Sequence, residues 1–184
     1  HAAFIQGIFG VGGEKRGILK LLPVAADQPL RESDLSALDA KGAVLVGGIQ
    51  PDLTFLRAAS NAGAVGLITG SLDDEALTGF LGYDLGVALT GDEELSMTVI
   101  MTEGFGKISI SKRILDIFQQ FEGQEVSING ATQVRAGAIR PEIIICHLGD
   151  VQVQSSALSH GLEVGSRVRI IRVPYFGARA TVSA

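Results

Sequence analysis

"KGAVLVGG" (Lys41–Gly48), then "PDLTFLRAASNAG" (Pro51–Gly63) and "AVGLITG" (Ala64–Gly70), decide the fold of this chain. The first and last pieces are short runs of branched apolar residues closed by glycine, the pattern of strands buried on both faces. Between them Leu53, Leu56, Ala59 and Ala62 recur at helical spacing, and Gly63 is a helix stop. The alternation then repeats. "SLDDEALTGFLG" (Ser71–Gly82) offers Ser71 as an N-cap, with Asp73, Asp74 and Glu75 in a first turn where the helix dipole favours acids. "DLGVALTG" (Asp84–Gly91) is a third apolar run. Strand, helix, strand, helix and strand with short links imply parallel neighbours and right-handed crossovers. The predicted fold class is α/β, with a small parallel βαβαβ core.

Outward from this core the sequence predicts antiparallel additions. "AFIQGIFGVGGEKRGILKLLP" (Ala3–Pro23) reads as two strands folded back as a hairpin around Gly10, Gly12 and Gly13, which tolerate bulged turns. A short helical turn is expected near Ser33–Leu38. "SMTVIMTEGFG" (Ser96–Gly106) is a further strand. "SISKRILDIFQQFEG" (Ser109–Gly123) is an amphipathic helix with Ile110, Ile114, Ile117, Phe118 and Phe121 on one face. "QEVSINGATQVRAGAIRPEIIICHL" (Gln124–Leu148) supplies two or three strands. The tail is all-β, and the expected division is residues 1–154 and 155–184.

Of the 184 residues, 46% are hydrophobic and 19% charged, which fits a packed core and excludes a disordered chain. The net charge of -5 argues against nucleic-acid binding by the whole surface, because phosphate contacts need basic residues. A local basic patch is compatible with it. Cys146 is the single cysteine, so no intrachain disulfide can form, and a reducing, cytoplasmic location is expected. No apolar run reaches the roughly 20 residues of a membrane-spanning helix, and no membrane contact is expected.

"KGAVLVGG…LRAASNAGAVGLITG" resembles the core of swivelling β/β/α domains, as in protease-associated inserts and the mobile domain of aconitases. The tail "GSRVRIIRVPYFGARATVSA" (Gly165–Ala184) resembles the KOW motif of SH3-like barrels through Gly165, Val168, Ile170, Gly177 and Val182. Val173 and Ala180 depart from that motif, and an incomplete KOW-like hairpin is expected. Through "FIQGIFGVGGE", "LGYDLGVALTG", "TEGFGKI" and "NGATQVRAGAIRPEII" the whole chain is similar to a bacterial group of uncharacterised proteins with a KOW-like C-terminal segment. That resemblance implies no activity.

Two sites compete. The ribbon carries Arg167, Arg169, Arg172 and Arg179 with no acid after Glu163, and Tyr175 and Phe176 could stack on bases. It suits nucleic acid or a protein partner; alternatively the arginines only keep an exposed edge soluble. The second is an anionic small-molecule site from Glu103, at a strand end, and Gln133, Arg135 and Arg140, whose guanidinium forks suit carboxylate or phosphate. Alternatively Arg135 or Arg140 simply pairs with Glu103, Glu125 or Glu142. "FGVGGEKRG" (Phe9–Gly17) is not a Walker loop, since Arg16 follows Lys15 where a hydroxyl is required. Cys146 after "EIII" reads as a buried small hydrophobe, and no metal spacing, cofactor motif or catalytic constellation is found. A non-catalytic binding or scaffolding module is the preferred expectation, with a homo-oligomer compatible.

Overall fold

The computed structural model describes residues 2–82, 95–132, 139–146, 164–165, 167–169 and 179–183. The chain divides into two compact units, His1–Leu148 and Gly149–Ala184. The first is mixed α/β. Its strands are β1 (Ala2–Gln6), β2 (Phe9–Val11), β3 (Glu14–Leu21), β4 (Ala43–Val46), β5 (Gly66–Leu72), β6 (Thr98–Phe105), β7 (Glu125–Asn129) and β8 (Glu142–Cys146). Its helices are α1 (Leu53–Asn61), α2 (Asp74–Leu81) and α3 (Lys112–Gln120), with a 3₁₀ turn at Glu32–Leu35. Among the described residues no helix is long and apolar enough to cross a membrane.

The parallel half consists of β3, β4, β5 and β6 side by side. It is wider than "GAVLVGG" and "AVGLITG" alone imply, because β3 and β6 join it. The expected third strand of the repeat, residues 84–91, lies outside the described residues. Alternation sends Ala43, Leu45, Leu67, Val99 and Met101 to one face, where they pack with Phe55, Leu56, Ala59 and Leu77 of α1 and α2. Leu19, Val44, Val46, Ile68 and Ile100 occupy the opposite face and are fully buried too.

The strand order is β1-β8-β7-β3-β4-β5-β6-β2, so the terminal positions fall to strands consecutive in sequence. β1 pairs with β8 and β2 with β6, both antiparallel. Only Gly7 and Ile8 separate them, and pairing continues through the joint: Gly7 N–H donates to the Pro141 carbonyl at 2.9 Å and Ile8 N–H to that of Met101 at 2.8 Å. One stretch of chain therefore carries both edges, and the sheet closes on itself. The curl is visible at Gly66 on β5, where a Cβ would strike Cδ1 of Ile128 on β7. Those strands are three positions apart, about 14 Å in a flat sheet, too far for an isoleucine to reach.

Three readings of the sequence are corrected. The glycines after Phe9 do not make a hairpin, since β2 and β3 occupy separate places in the strand order. They form a crossing instead. A Cβ on Gly10 would lie 2.8 Å from the Gly130 carbonyl oxygen and 2.9 Å from that of Val99, so bare backbone is needed there. The Thr132 hydroxyl locks the crossing, accepting from Gly10 N–H at 2.9 Å and donating to the Gly10 carbonyl at 3.0 Å. Second, Ser71 does not cap α2. β5 bulges between Thr69 and Ser71 and runs on to Leu72, and Asp73 takes the N-cap position. Third, Cys146 is exposed, because β8 alternates Ile143 and Ile145 inward and ends with Cys146 on the outer side.

In the second unit β9 (Arg167–Arg169) pairs antiparallel with β10 (Arg179–Thr181). The crossing in the first unit makes a direct prediction. Gly10→Ala should cost about 2 kcal/mol or more by overpacking against backbone. Gly13→Ala, where a Cβ meets nothing within 4 Å, should stay within about 0.5 kcal/mol of wild type. Urea unfolding of both variants checks this; equal costs would contradict the crossing.

Candidate functional site: a polar cleft at the parallel strand ends, and the arginine ribbon

In parallel α/β sheets the strands' carboxyl ends gather the loops that enter the helices, and ligands tend to bind there. The loops after β4 and β5 meet at that end. The first, "GGIQPD" (Gly47–Asp52), is held in an unusual path. Gly47, Gly48 and Gln50 have φ of 144°, 59° and 41°, and Gln50 is the non-glycine residue with positive φ among those described. Side chains with a Cβ rarely adopt that region, so the surrounding bonds must hold it. Gln50 N–H donates to the Ser71 carbonyl at 2.8 Å, and its Nε2 donates to Asp73 Oδ1 at 2.7 Å. Ile49 is held from the other side, donating to the Gln28 carbonyl and accepting from Leu30 N–H, both at 2.9 Å.

The result is a cleft of about 330 Å³ lined by Arg31, Gln50, Pro51, Asp52, Leu53, Asp73, Glu75 and Ala76. Asp52 does two jobs. Its Oδ1 accepts from Phe55 N–H at 2.7 Å, capping α1, while its Oδ2 lies 3.5 Å from Arg31 Nη1. Asp73 sits at the N-cap of α2 but makes no side-chain capping bond, its carboxylate being turned to Gln50. Three carboxylates against one guanidinium leave the lining acidic. Among the described residues no group of three or more His, Cys, Asp or Glu is placed to hold a metal ion.

Of the residues expected in an anionic site, Glu103 lies near the end of β6, where its Oε1 accepts from Ser111 N–H at 3.1 Å. Ser111 is the N-cap of α3, so Glu103 is tied to that helix start. Arg140 is partly buried beside Pro141, whose carbonyl takes the Gly7 N–H. Gln133 and Arg135 lie outside the described residues, as do Arg172 and Tyr175 of the ribbon. Sequence reasoning missed the cleft, although two of its loops bring Gln50, Asp52, Asp73 and Glu75 soon after the buried strands β4 and β5.

In the ribbon the register sets Arg169 opposite Arg179, Val168 opposite Ala180 and Arg167 opposite Thr181. Gly165 N–H, at φ 93°, donates to the Val182 carbonyl at 2.8 Å and extends the pairing. Compared with family models, curated proteins and solved structures, the chain matches none.

The dual role of Asp52 separates by substitution. Asp52→Ala should cost about 1 kcal/mol through the lost cap. Asp52→Asn keeps an accepting oxygen and loses only an exposed ion pair, so it should stay within about 0.5 kcal/mol of wild type. Thermal unfolding distinguishes them; an equal loss in both would assign the stabilisation to the ion pair.

Proposed function

We propose that the chain is a non-catalytic binding module whose C-terminal ribbon contacts a polyanion, with nucleic acid as the leading partner. One observation carries this: Arg169 and Arg179 stand directly opposite in the ribbon, two residues along from Arg167. Like charges directly opposite on an antiparallel pair destabilise it. A phosphate backbone would turn that cost into binding energy by accepting charge-assisted hydrogen bonds from the guanidinium groups. The resemblance of the tail to KOW ribbons points the same way, and Tyr175 and Phe176 would add stacking. On the resemblance of its core sequence to swivelling domains, the first unit would act as the scaffold. A cytoplasmic location goes with this reading. An acidic protein surface is the alternative occupant of the same arginines.

A second reading, a small-molecule site, moves from Glu103 to the cleft. Its support is Gln50, held at positive φ and bonded to Asp73 inside the cleft. Strained residues of this kind gather at ligand sites.

Fluorescence anisotropy with single-stranded RNA and duplex DNA across a salt series tests the first reading. Binding should weaken with salt at a log–log slope of about -2 to -4, as for three or four phosphate contacts. Arg169→Glu should weaken it at least about tenfold and reduce the slope by about 1. Absence of salt-dependent binding to either nucleic acid would overturn it.

A further inference from the structure

Four antiparallel strands, β1, β8, β7 and β3, form a continuous wall of the closed sheet. Its inner positions are filled by Ile5, Ile143, Ile145, Val126, Ile128 and Leu19. The outer positions follow from the register. Gln6, Glu142, Asn129 and Glu14 make one cross-strand row, and Phe4, Ile144, Ser127 and Arg16 the next. Beyond them lie Ala2 opposite Cys146 and Ile18 opposite Glu125. Phe4 is 55% exposed and Ile18 41%, two of the four exposed large hydrophobic side chains among the described residues. Glu14, Glu125 and Glu142 are exposed around them. Arg16 is the basic residue in these rows, and its ion pair with Glu14 is long, 3.7 Å, and open to water. The wall is thus an apolar strip bordered by acids.

The chain itself holds the complement. All twenty acids and eleven of the fifteen basic residues precede Val164, giving -9 there, while residues 164–184 carry +4. An arginine ribbon suits an acid-bordered apolar wall because guanidinium heads reach the carboxylates while their methylene stems cover apolar surface.

We propose that the outer wall of β1, β8, β7 and β3 docks the β9–β10 ribbon of a second copy of this chain. Two copies exchanging ribbons close as a two-fold dimer with two equal contacts, which leaves no ribbon or wall free to propagate. Wall against wall would set like charges together, so the exchange is the favoured arrangement. This goes beyond the polyanion reading and does not depend on it, although a polyanion would compete for the same arginines.

The test is sedimentation velocity of the full chain, without nucleic acid, at low and high salt. Wild type is expected to dimerise at low salt and dissociate at high salt. Glu142→Lys and Arg169→Glu should each weaken the dimer at least about tenfold. An equimolar mixture of the two variants should restore it, because the reversed ribbon then meets the reversed wall and the unchanged ribbon meets the unchanged wall. Glu142 is exposed on β8, and circular dichroism on each variant verifies folding before mixing. A wild-type chain that is monomeric at every salt concentration overturns the proposal, as does a mixture that stays monomeric. A monomer that still binds RNA overturns this inference alone.

Discussion

Gly7 and Ile8 are all that separates the two ends of an eight-strand order, and the remaining architecture depends on that joint. A chain that leaves β8 and joins β6 within two residues forces the sheet to curl until its ends meet. Closure removes the free edges that an open sheet would expose. It also requires glycine where backbones cross, which is why Gly7, Gly10 and Gly130 all lack room for a Cβ. At Gly7 that Cβ would stand 2.6 Å from Ile100 Cγ2. The Thr132 hydroxyl fastens the crossing at one buried point, satisfying both polar groups of Gly10.

The two halves of the closed sheet then differ in cover. The parallel half takes α1 and α2 on its outer face, which explains why β4 and β5 are buried along their whole length. The antiparallel half keeps an outer face with exposed Phe4 and Ile18. The polar cleft belongs to the first half and the apolar, acid-bordered wall to the second. The first unit therefore presents two chemically distinct surfaces, a polar cleft and an apolar, acid-bordered wall.

The legible parts of the sequence are those whose burial is local. "AVLV" and "GLITG" announce strands because both faces of each are covered, and Phe118 and Phe121 sit where the α3 periodicity puts them. On α1 the buried face is turned from the expected stripe: Phe55, Leu56 and Ala59 are fully buried, while Leu53 is half-buried and Ala62 exposed. The closure was illegible for a physical reason. A glycine-rich stretch between apolar runs serves a hairpin and a crossing equally well, and only the partner strands, about 90 to 145 residues away in the register, decide between them. The cleft was hidden in the same way: Arg31, Gln50 and Asp73 come from three loops that tertiary structure alone brings together.

Amide hydrogen exchange at the joint tests the closure most directly. A closed sheet predicts that the Gly7, Ile8 and Gly10 amides are protected as strongly as those of β4 and β5, since each is bonded within the body of the sheet and opens only with it. Exchange at Gly7 and Ile8 close to the rate of an exposed loop, with β4 and β5 still protected, would show an open sheet with two free edges and would contradict the account.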